Sequence, residues 1–89
     1  MINMIGRFAI SKAGHDKAQT YVITAAEGDF VYLCDGRLKT LDKPKKKRIK
    51  HIQPVNAQVE LELLERLKNG ASVCNEEIKY ALKTYLEKQ

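Results

Sequence analysis

The sequence predicts a small α+β fold: a strongly bent antiparallel β-barrel followed by a C-terminal helical hairpin. Three observations lead there. Before about residue 53, apolar residues come in short β-branched and aromatic runs parted by Gly- and Asp-containing turns. After it they recur three and four apart, the helical period. The chain has 89 residues, 44% hydrophobic and 30% charged, the size and balance of one globular domain. Residues 1–53 are read as the barrel and residues 54–89 as a helical extension packed on it.

Arg7 to Ser11 is the first expected strand, with Phe8 and Ile10 on one face. A polar turn around Gly14 follows. Tyr21 to Thr24 is β-branched and aromatic and reads as the next strand. Glu27-Gly28-Asp29 is turn chemistry, and Phe30 to Cys34 is another apolar run. Asp35-Gly36 is a hairpin signal that predicts a further strand over Arg37 to Leu41. Pro44 belongs at a strand start or a sheet edge, because it cannot donate to a ladder. Lys47 to Ile52 reads as a last, less regular strand, since Ile49 and Ile52 fall on opposite faces. About five short strands favour a barrel, whose closure hides its edges. Further on, Leu61, Leu64 and Leu67, with Val59 and Leu63 beside them, predict a helix over Ala57 to Lys68, capped by Asn69-Gly70. Ile78, Leu82 and Tyr85 or Leu86 predict a second helix from about Asn75 to Glu87.

The net charge is +5, and its distribution says more than its total. Arg37 to Gln53 holds eight basic side chains against Asp42 alone, while residues 1–36 and 54–89 each sum to −1. Such concentration is the footprint of a polyanion binder. A core this small leaves little room for a dry catalytic cavity, and His15 and His51 have no Ser or Cys partner at a recognisable spacing. The expectation is a protein that is not an enzyme and needs no cofactor or metal. Cys34 and Cys74 form no CxxC pair and read as small, semi-buried core thiols. Met1 to Ile10 lacks the apolar core of a signal peptide, and no apolar run is long enough to span a membrane. A cytoplasmic, monomeric protein is expected.

The basic run Lys43-Pro44-Lys45-Lys46-Lys47-Arg48-Ile49-Lys50 is the sharpest local signal. Like charges this dense repel one another, so a ligand of opposite charge is the simplest reason for them. Each cation that reaches a phosphate releases counterions and gives salt-dependent affinity. The plainer alternatives are a solvated lysine-rich linker and a nuclear import address. The turn around Gly14 is the second feature. Lys12, His15 and Lys17 surround it and could offer donors to a phosphate or a base; the plainer reading is a turn facing water. Phe8 and Phe30 are expected in the core; Tyr32, out of phase with Val31 and Leu33, could lie at the surface, where a base could stack on it.

The segment Gly6 to Lys17, followed by Thr20-Tyr21-Val22-Ile23, resembles a KOW motif: an apolar strand, a loop around a fixed glycine, a second apolar strand. Asp35-Gly36-Arg37-Leu38, Lys43-Pro44-Lys45-Lys46-Lys47 and Ile49-Lys50-His51-Ile52 are similar to short bacterial KOW-domain RNA-binding proteins, which in turn resemble the KOW-type large-subunit ribosomal proteins of archaea and eukaryotes. The resemblance covers about residues 5–53. It implies an SH3-like barrel and RNA, ribosomal RNA foremost, as ligand. Two positions depart from the pattern: His15 stands where the family often has Arg, and Ala18 where a second glycine is common.

The combined expectation is an RNA-binding, ribosome-associated protein. Its contacts come from Lys12, Gly14, His15 and Lys17 of the loop and from Arg37, Lys39, Lys43, Lys45, Lys46, Lys47, Arg48 and Lys50 of the basic segment. Ribosomal proteins are further candidate partners. The rival is a protein-interaction module that docks a ribosomal or transcription protein through the barrel or the helices.

Overall fold

The computed structural model describes residues 4–88. The parts of the reading that fall on residues 1–3 and 89 lie outside them. Five antiparallel strands form one open sheet, with two helices after it. The strands are β1 (Arg7–Ser11), β2 (Thr20–Glu27), β3 (Phe30–Cys34), β4 (Lys45–Arg48) and β5 (Ile52–Gln58). The helices are α1 (Leu61–Lys68) and α2 (Asn75–Glu87). The sheet order is β4-β3-β2-β1-β5, so β4 and β5 are its edges. In a flat sheet β4 and β1 would lie about 14 Å apart. Yet Lys47 of β4 hydrogen-bonds to Ser11 of β1, so the sheet is curled. A register shift between Ile23 and Ala25 on β2 adds to the bend.

Each face of the sheet carries a buried cluster. Phe8, Val22 and Cys34 stand opposite one another across β1, β2 and β3 and pack with Val59, Leu63, Leu64, Ile78 and Leu82 under the helices. The Phe8 ring stacks on Tyr85 of α2 at a centroid separation of 4.2 Å. Ala9, Tyr21, Ile23, Val31, Leu33 and Ile52 fill the concave side.

Four expectations need correction. No strand forms over Arg37 to Leu41; those residues lie in a loop with one isolated bridge, Thr40 to Lys43. The Asp35 carboxylate accepts from the backbone N–H groups of Arg37 and Lys39, both at 2.9 Å, and diverts them from a ladder. The loop instead docks on α2. Gly36 is buried at φ +80°, and Asn75 Oδ1 accepts the Leu41 N–H at 2.8 Å. Next, the basic segment is not one strand to Ile52. A 3₁₀ turn, Ile49–His51, separates β4 from β5. With three residues per turn, it brings Ile49 and Ile52 into the same concave cluster. Third, α1 starts four residues later than expected. β5 runs across the 53/54 junction to Gln58, Val59 is tied to Gly6 O at 2.9 Å, and Leu61 is left exposed. Last, Cys34 is buried as expected, but Cys74 is exposed just before α2.

Candidate nucleic-acid interface

Side chains of a strand alternate between faces, and this divides the cations of β4 two and two. Lys45 and Lys47 turn toward the β1–β2 loop. Lys46 and Arg48 turn outward.

The inward pair meets Asp16. Lys47 Nζ donates to Asp16 Oδ1 at 2.6 Å, to the Ala13 carbonyl at 2.7 Å and to the Ser11 hydroxyl. An ammonium has three donors, and all three are used. Lys45 Nζ lies 3.7 Å from Asp16 Oδ2. The Asp16 carboxylate also accepts from the Ser11 hydroxyl at 2.9 Å and from the Tyr21 phenol at 3.2 Å. The side chains of Lys47 and Asp16 are only 10% and 12% exposed, so this is a largely buried ion pair. Burial alone would raise the Asp16 pKa. The hydrogen bonds from Lys47 and Ser11, with the charges of Lys45 and Lys47, outweigh it and hold the carboxyl at about 2, below its ordinary 3.8. Burial, reinforced by the Asp16 charge and hydrogen bond, pushes the Tyr21 phenol up to about 12.

This pairing gives the fold an acid dependence. Folded Asp16 binds a proton less readily than unfolded Asp16, so its contribution is complete above about pH 4 and fades as pH falls toward 2. The loss is about 2 kcal/mol. Thermal unfolding from pH 5 to pH 2 should show it, and Asp16→Asn should be less stable at neutral pH but flatter in acid. An equally steep acid profile in Asp16→Asn would remove Asp16 as the cause.

The loop between β1 and β2 is pinned at both ends. Ala18 N–H donates to Ser11 O at 2.8 Å, Gln19 N–H to Asp16 O at 3.0 Å, and Lys12 N–H to His51 O at 2.9 Å. Gly14 sits at φ +87°. Ala18, at φ +75°, is the one non-glycine with positive φ among the described residues. That conformation costs an L-residue about 1–2 kcal/mol, a physical reason for glycine there. Lys12, His15 and Lys17 are exposed around this frame.

On the outer face, Lys46 Nζ lies 4.5 Å and Arg48 Cζ 4.8 Å from the centre of the Phe30 ring. Phe30 is half-buried here, not a core residue. Tyr32 faces the same way, opposite Lys46 in the ladder, and its phenol donates to Glu27 at 3.2 Å. Among the described residues, neither Lys46 nor Arg48 has a carboxylate oxygen within 4.0 Å. Lys43 and Lys50 flank the strand, both exposed. Arg37 and Lys39 stand apart from this group, on the loop that docks against α2.

The charge pattern alone assigns all the cations of β4 to a ligand and does not single out Asp16. The available signal was one carboxylate in a basic loop, two strands away from a lysine-dense segment. Among the described residues no three His, Cys, Asp or Glu side chains gather to hold a metal, and no helix is long and apolar enough to cross a membrane. No protein-family model matches the chain, and no curated protein matches it.

Proposed function

We propose that this chain is a non-enzymatic RNA-binding protein of the KOW type, associated with ribosomal RNA, that grips the phosphate backbone through β4 and the β1–β2 loop. One observation carries the reading. Asp16 fastens β4 to the loop from behind and leaves Lys46 and Arg48 presented outward, without a carboxylate partner among the described residues. Lys45 and Lys47 share that single carboxylate, so even the inner side keeps a positive excess. The rigid mounting matters, because a cation held in place loses less side-chain entropy when it meets a phosphate. The curled five-stranded antiparallel sheet supports the SH3-like part of the reading.

RNA affinity measured against salt tests it. Lys46→Gln with Arg48→Gln should flatten the slope of log K on log salt by about 0.7 per lost phosphate contact on a single strand. An unchanged slope would remove the outer face of β4 from the contact.

The rival, a protein-interaction module, draws on a cleft of about 750 Å³ between β5, α1 and α2 that includes Phe8, Val59, Leu63, Tyr80 and Tyr85. Partners that survive nuclease treatment in a pull-down would favour it.

A further inference from the structure

We infer that the outer face of β3 and β4 binds unpaired bases, so that the preferred ligand is single-stranded RNA. The inference rests on the RNA-binding reading and names the form of RNA this site takes.

A bare lysine strand would serve phosphate contact alone. This one is paired with aromatics. Phe30 stands opposite Arg48 in the ladder and Tyr32 opposite Lys46, so two rings and two cations share one sheet face. Both rings are half-buried, so part of each remains at the surface. Arg48 is exposed, and its guanidinium, with the Lys46 ammonium, lies over the Phe30 ring. Guanidinium planes and aromatic rings are the groups on which splayed-out bases stack. Tyr32 has its phenol tied to Glu27, which limits the ring's motion before a ligand arrives.

A second feature adjoins Tyr32. Tyr32 forms one wall of a shallow cleft of about 440 Å³, whose other walls include Thr24, Ala25, Leu41, Pro44 and Val73. Walls of this mostly apolar kind suit the flat face of a base and offer little to a phosphate. In an A-form duplex the base faces are stacked on one another and hidden, so rings and an apolar cleft gain nothing from it. A single strand can place phosphates on Lys46 and its neighbours while its bases turn onto the rings.

The test compares a single-stranded oligouridylate with an RNA duplex of the same length, each titrated against the full chain. The wild-type protein should prefer the single strand. Tyr32→Leu and Phe30→Leu keep an apolar side chain on the sheet and remove the ring. Each should weaken single-strand binding roughly 5- to 150-fold, the equivalent of one stacked base, and leave duplex binding nearly unchanged. Arg48→Lys keeps the charge and removes the plane, and because the side chain is exposed the fold should tolerate it. It should lower single-strand affinity while preserving the salt slope. Equal losses on both ligands, or an Arg48→Lys protein that binds the single strand like wild type, would overturn the stacking inference and leave the phosphate reading standing. Failure of the wild-type protein to bind either RNA would overturn both.

Discussion

Lys47→Met is expected to destabilise the fold by about 2–3 kcal/mol, a fall in melting temperature of roughly 10–20 °C for a domain of this size. Methionine keeps most of the stem and removes the ammonium. Asp16 then stays largely buried without the cation that contacts it at 2.6 Å, and the Ala13 carbonyl keeps only the longer contact from the Ser11 hydroxyl. Removing one partner of a buried pair ordinarily costs about 3–5 kcal/mol. The figure here is lower because Asp16 keeps Ser11, Tyr21 and the more distant Lys45. The neighbouring substitution provides the contrast. Lys46 is exposed and rests on the Phe30 ring, so Lys46→Met should change stability by no more than about 1 kcal/mol. It should still lower the salt dependence of RNA binding. Adjacent lysines on one strand thus divide into a structural group and a binding group, and melting curves of the two variants read that division directly. Equal melting temperatures would mean that Lys47 is not buried against Asp16 in solution.

Where local pattern and tertiary contact agree, the sequence is easy to read. β1 and β3 span the residues expected of them, and α2 spans the residues that its Ile78–Leu82 face and acidic first turn predict. Readings go astray where a side chain competes for the backbone or where two periods fit. Asp35-Gly36 has hairpin composition, but the Asp35 carboxylate takes the N–H groups that a strand would need. Val55, Ala57 and Val59 alternate as well as they spiral, and pairing with β1 decides for strand through Gln58. Ile49 and Ile52 look contradictory for a strand and consistent for a 3₁₀ turn.

The interface is legible in its charge and less so in its arrangement. Summed charge finds the basic segment because it does not depend on geometry. Which cations face outward depends on the strand period and on what lies behind the strand, and the curl of the sheet brings Asp16 there from far away in sequence. Phe30 was expected inside because it is apolar and sits at the end of an apolar run. Its phase within β3 puts it on the face of Tyr32, and the facing residues of β4 are Lys46 and Arg48.

Gly36→Ala is expected to lose about 2–4 kcal/mol, for two separable reasons. At φ +80° an added Cβ costs about 1 kcal/mol or slightly more in backbone strain. That Cβ would also collide with the Asn75 carbonyl oxygen and lie 2.9 Å from the Lys79 backbone nitrogen. Both atoms belong to the first turns of α2, which cannot swing aside as a flexible side chain could. Relief requires α2 to lift, and lifting strains the Leu41–Asn75 hydrogen bond and the packing of Ile78, which is fully buried. Overpacking of this kind adds about 1–3 kcal/mol. Gly70→Ala isolates the first reason, because Gly70 has φ +69° with open space around it. It should cost only about 1 kcal/mol. Chemical denaturation of the two variants separates strain from collision. A Gly36→Ala protein no less stable than Gly70→Ala would show that α2 does not lean on the 35–44 loop, and that the basic segment leaves β3 without the support that aims it.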